Sequence, residues 1–137
     1  MLKAILIDGN AIARDLLTTI LANGSYDVVG SVNTGAKAVA VALKHTPHIV
    51  CINDEQLYDT GIDFMTEMRA VAPKALIFMV SSELDAASLQ KAVNRGVQGF
   101  IVKPFNATNV LNTIRKTALT LVKKQQKAAA AASDSAE

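Results

Sequence analysis

The sequence predicts an α/β fold in which five short strands, each followed by a helix in a (βα)5 order, form a parallel sheet between two helical layers. Two observations carry this prediction. Short runs rich in β-branched residues recur at KAILI (3–7), DVVGSV (27–32), IVCI (49–52), ALIFMV (75–80) and GFIV (99–102), with apolar residues at helical spacing between them. The run at 75–80 is apolar throughout, as a central strand buried on both faces is. Right-handed crossovers follow from that alternation.

Each element has its own signals. The first strand ends at Asp8-Gly9-Asn10, a turn sequence, after which Ile12, Leu16, Ile20 and Leu21 repeat at helical spacing up to Asn23-Gly24. Thr34 is the expected N-cap of a second helix that runs to about His45 and is stopped by Pro47. Phe64, Met65 and Met68 mark a short helix that ends before Pro73. Ser82 is the expected N-cap of the fourth helix, with Glu83 and Asp85 near its N-terminus, Leu89 and Val93 on its apolar stripe and Arg95-Gly96 at its end. The last helix carries Val110, Ile114, Ala118, Leu121 and Val122 on one side. Residues 1–124 are thus expected to form one domain, and the Ala-rich segment 125–137 to extend the last helix or remain disordered.

Composition narrows the function classes. A chain of 137 residues, half of them hydrophobic, suits one domain with a sizeable core. Its 14 basic and 12 acidic residues leave a formal charge of +2, too little to draw in nucleic acid or an anionic membrane. Lys123-Lys124 reads as a solvated helix end. The single cysteine, Cys51, has no internal disulfide partner and sits in an apolar run, where it behaves as a small buried hydrophobe. No apolar run approaches a membrane span, and the amino end lacks a signal-peptide layout, so the expected location is cytoplasmic.

The polar residues collect at the strand ends. Asp8, Asn53, Ser81 and Lys103 terminate the first, third, fourth and fifth strands. In an open parallel sheet such ends face one crevice, where ligands and chemistry gather. A carboxylate, an amide, a hydroxyl and an amine there make a candidate site. His45 and His48, near the start of the third strand, stand far from it.

Four signals together point to a family: Lys103-Pro104-Phe105 after an apolar strand, Ser81 after ALIFMV, PHIV leading into the third strand, and Gly61 eight residues beyond Asn53. With them the chain, from Lys3 to about Val122, resembles a response regulator receiver domain of the single-domain, CheY-like type. The resemblance implies a flavodoxin-like three-layer sandwich with sheet order 2-1-3-4-5 and a non-enzymatic role in bacterial two-component (phosphorelay) signalling. It also implies partners, a histidine kinase or a downstream target, on the face made by the fourth helix, fifth strand and fifth helix. A second copy of the chain is a further candidate partner. Receivers of this kind accept a phosphoryl group on an aspartate ending strand three, with Mg²⁺ held by that aspartate and by acids after strand one. A serine or threonine and a lysine then bind the phosphoryl oxygens.

This sequence departs from that pattern at two positions. Asn53 stands at the phosphoacceptor position and Gly9 at the second residue of the acidic pair. A neutral amide is a poor nucleophile toward a phosphoryl donor. Of the family's carboxylate cluster only Asp8 remains, so Mg²⁺ binding is expected to be weak and no cofactor is required. Strand alternation puts Asp54 on the side opposite Asn53 and returns Glu55 to it, where Glu55 would join Asp8 in a weak cation site if the extended chain continues. Glu83 lies near the rim, and Leu57 stands where proline is typical. Without a metal, Lys103 is expected to bond Asp8 or the Asn53 carbonyl oxygen. Ser81 and Phe100 occupy the family's switch positions. The expectation is a phosphorylation-independent interaction module. One alternative is an ordinary Mg²⁺-dependent phosphoacceptor, with a native aspartate at 53 or a neighbouring carboxylate in use. Another is a flavodoxin-like small-ligand binder, which the charged loop from Asp8 to Ala13 serves poorly.

Overall fold

The computed structural model describes residues 1–120, and the tail at 125–137, with Leu121, Val122, Lys123 and Lys124, lies outside them. The strands are β1 (Lys3–Ile7), β2 (Asp27–Val32), β3 (Ile49–Asn53), β4 (Leu76–Ser81) and β5 (Gly99–Val102). They form one parallel sheet in the order β2-β1-β3-β4-β5. The helices are α1 (Ala11–Asn23), α2 (Gly35–His45), the single turn α3 (Asp54–Leu57), α4 (Phe64–Val71) and α5 (Ala86–Asn94). A last helix, α6, occupies residues 107–120.

Side-chain alternation divides the sheet between two cores. Ile5, Ile7, Val50, Ile52, Ile77 and Met79 pack with residues of α2, α4 and α5, among them Ala38, Ala42, Phe64, Met68 and Ala92. Ala4, Leu6, Ile49, Cys51, Phe78, Val80 and Ile101 face the other way, onto Leu17, Ile20 and Leu21 of α1 and Val110 and Ile114 of α6. The strands most deeply buried, β3 and β4, are therefore apolar on both faces.

Several local expectations are corrected. The buried stripe of α1 is Leu17, Ile20 and Leu21, whereas Ile12 and Leu16 are 80% and 48% exposed. Both spacings fit a helix, and tertiary packing selects the other one. α5 starts at Ala86, capped by Asp85 rather than Ser82, and the chain from Ser82 to Asp85 is non-helical, with Glu83 N donating to Ser81 Oγ. The Asp85 carboxylate accepts from the Ser88 backbone N–H, which lowers its pKa. Val93 is half exposed, and Ala92 takes the inward position. Thr34 caps α2, accepting from Lys37 N.

The end of the sheet remote from the strand-end residues is tied by Lys3 and His48. The Lys3 backbone N–H donates to His48 Nδ1 at 2.9 Å, and His48 N donates to Lys3 O at 2.9 Å. Arg69 of α4 donates to Pro73 O, Ala75 O and Gln98 Oε1, joining the turn before β4 to the segment before β5.

Two consequences can be measured. A Cβ at Gly99 would stand 2.6 Å from two ring carbons of the fully buried Phe78, so Gly99→Ala should destabilise the fold by about 1–3 kcal/mol, lowering the urea midpoint at unchanged slope. Burial pushes the Cys51 thiol up to about 12. Its unfolded counterpart ionises first, near 8.5, so this group removes stability as pH rises from there toward 12. At pH 8 the native thiol should react with a disulfide reagent only as fast as the chain unfolds.

Candidate functional site

Register places the four strand-end residues side by side. Ile7 pairs with Ile52, Asn53 with Val80 and Ser81 with Val102, so Asp8 and Lys103 lie one residue beyond paired positions. Asp8 and Asn53 are each 7% exposed and Ser81 1%. These buried polar groups require partners.

Alternation separates them into two sets. Asp8, Asn53 and Lys103 continue the series Ala4–Leu6, Ile49–Cys51 and Ile101, which faces α1 and α6. Ser81 continues Ile77–Met79, which faces α2, α4 and α5. The single crevice expected from four strand ends therefore has two halves.

In the first half, Lys103 Nζ donates to Asp8 Oδ2 at 2.6 Å and to Asn53 Oδ1 at 2.9 Å. Lys103 thus engages both of its expected partners at once. Asp8 Oδ1 accepts from Asn10 N at 2.9 Å, which closes the loop after β1, and Asn10 caps α1 by accepting from Ala13 N. Arg14 donates to the Asp8 backbone oxygen. Asn53 Nδ2 donates to Gln56 Oε1 at 3.1 Å. Every polar atom of Asp8 and Asn53 side chains is thereby engaged.

In the second half, Ser81 Oγ donates to Asp54 Oδ2 at 2.7 Å and accepts from Glu83 N at 3.0 Å. Asp54 does lie opposite Asn53, and that is what brings it to Ser81. Glu55 does not return to Asn53. The backbone leaves the extended conformation after Asn53 and turns into α3, so alternation no longer applies, and Glu55 is exposed. It lines a groove of about 400 Å³ together with Asp54, Ser81, Glu83 and Lys91, on the half away from Asp8.

The residues do not fit a divalent ion. Among the described residues no three His, Cys, Asp or Glu side chains are grouped to hold a metal. Among the described residues Asp8 is the one carboxylate bonded to Lys103, whose ammonium lies between it and Asn53. A hard dication there would meet a positive charge at hydrogen-bond distance from its best ligand.

Two features escaped sequence reasoning. Gln56 touches Asn53 and overlies Gly9, which periodicity gives no reason to suspect. Ile12 and Leu16, with Ala13, Pro104 and Phe105, form an apolar groove of about 250 Å³ beside Lys103. Phe100 is partly buried against the core that holds Met79.

Comparison with known proteins identifies the framework. The family described as response regulator receiver domain matches residues 4–115. The chain is 30% identical over 115 residues to the chemotaxis protein CheY of Bacillus subtilis, covering 84% of this chain and 96% of that protein. Over 114 residues it is 29% identical to the CheY of Thermotoga maritima, covering 83% and 95%. Among solved structures, the chemotaxis response regulator CheY4 of Vibrio cholerae aligns with a TM-score of 0.76 at 24% identity, over 85% of this chain and 98% of that one. A CheY-like receiver from Methanospirillum hungatei gives 0.77 at 17%, over 90% and 98%. A match that runs from the first strand into the last helix, on a sheet of this order, makes the chain a CheY-like member of the response regulator receiver domain family.

Proposed function

We propose that this receiver acts in two-component signalling as a phosphorylation-independent protein-interaction module. The observation that carries this reading is the Lys103 ammonium held between Asp8 and Asn53. An acceptor must attack a phosphoryl donor, and an asparagine amide has no charge and little nucleophilicity. The lysine that would meet incoming phosphoryl oxygens is already neutralised by Asp8. A switch whose input has no differential affinity for its two states stays in one population.

Binding therefore carries the function, with a partner signalling protein docking on the face of α5, β5 and α6. β5 is an edge strand, Val102 on it is 56% exposed, and a groove of about 150 Å³ beside it is lined by Phe100, Val102, Pro104, Asn109 and Thr113. No metal is required, and the chain is a signalling component rather than a catalyst. Ser81 and Phe100 hold the switch positions in one arrangement, Ser81 through Asp54.

Intact mass after incubation with Mg²⁺ and acetyl phosphate tests the reading. No phosphoryl adduct is expected on the unaltered chain; an adduct would overturn the reading and direct attention to Asp54 and Glu55. The internal ion pair is tested by urea unfolding. Lys103→Gln should cost about 1–3 kcal/mol, because it leaves Asp8 buried opposite a neutral group. Adding Asp8→Asn should recover part of that loss; losses that simply add would show the two side chains to be uncoupled.

A further inference from the structure

The turn that follows β3 engages both halves of the crevice at once. α3 begins at the residue after Asn53, so its first side chain, Asp54, emerges toward Ser81 and its third, Gln56, comes back over Asn53. Asp54 Oδ2 takes the one hydroxyl hydrogen of Ser81, so Ser81 has no donor left, and Glu83 N donates to Ser81 Oγ. Gln56 Oε1 accepts from Asn53, and Gln56 Nε2 lies where a side chain at position 9 would stand, 2.9 Å from a Cβ built on Gly9. The turn is itself held down. Leu57 is 1% exposed, and the Tyr58 ring lies 4.2 Å from Lys91 Nζ and 5.0 Å from Arg95 Cζ.

We propose that α3 is an internal plug of the receiver crevice, in which Asp54 occupies the Ser81 hydroxyl and Gln56 covers Asn53 and the space above Gly9. The proposal rests on the reading that this crevice is the silenced regulatory site, and it names what keeps it closed. An asparagine at position 53 is then only part of the block. If position 53 carried a carboxylate, the Gln56 amide could rotate and donate Nε2 to it, so the cover would stay in place. Gly9 belongs to the same device, because even a methyl group there displaces the Gln56 amide. That displacement is sterically mild, since only the end of a flexible side chain must move, but it gives up the bond to Asn53.

The test uses the full chain and Mg²⁺ alone as probe, followed by backbone amide NMR shifts at residues 8–10 and 53–57. Asn53→Asp is compared with Asn53→Asp/Gln56→Ala. With the cover removed, two carboxylates and water complete a hard-ion site, and the double variant should bind Mg²⁺ about tenfold or more tightly than Asn53→Asp. Equal affinities would overturn the Gln56 half of the proposal while leaving the inertness of the unaltered chain intact. An adduct on the unaltered chain with acetyl phosphate would instead remove the reading on which the proposal rests. Should the double variant fail to fold, Gly9→Ala in the Asn53→Asp background displaces the same amide and must raise Mg²⁺ affinity likewise. For the other half, Asp54→Ala should shift the Glu83 amide resonance and speed its hydrogen exchange severalfold. An unchanged Glu83 amide would show that Asp54 does not hold Ser81.

Discussion

The arrangement at the top of the sheet depends on one ammonium group. Lys103 lies 95 residues from Asp8 and 50 from Asn53, and its Nζ bonds both. Three strands must be in register for those contacts to form, so the bond reports the correct assembly of β1, β3 and β5. It also settles the local charge. Asp8 is 7% exposed, and a carboxylate at that depth needs a counter-charge or a metal. Here the chain supplies a counter-charge of its own in Lys103.

Most of the framework was legible because the sheet is buried on both faces. Strands such as IVCI and ALIFMV must be apolar at every position, and the helices between them must cover them, so runs and spacings point to one topology. The strand-end residues were legible for the same reason, since polar groups directly after such runs stand out. Less legible was how they would group. Treating Asp8, Asn53, Ser81 and Lys103 as one cluster ignored the two-residue period of the strands, which sends Ser81 to the other face. The same period was extended one step too far at Glu55, where the chain had already turned into α3. Ile12 and Leu16 share helical spacing with Ile20 and Leu21 yet stay exposed, because α1 offers two apolar stripes and only contact with the sheet chooses between them.

A receiver with a filled crevice differs from one with an open crevice in what its fold can respond to. With Ser81 held by Asp54 and Lys103 by Asp8, the groups that would sense an incoming anion are engaged by the chain's own oxygens. On the function proposed above, regulation rests with the concentration or affinity of a binding partner, which shifts populations by mass action. The same proposal implies a module without the time dependence that acyl phosphate turnover confers.

The Lys3–His48 tie acquires a second meaning in this light. Because successive side chains alternate, a slip of β3 by one residue would point Asn53 toward Ser81 and carry Ile52 into the polar half. The Lys103–Asn53 bond fixes that register at the crevice end. The reciprocal bonds between Lys3 and His48 fix it again at the opposite end, roughly 15–17 Å away at about 3.3 Å per residue. His48, remote from the polar cluster, thus helps to hold β1 and β3 in the alignment that the cluster requires.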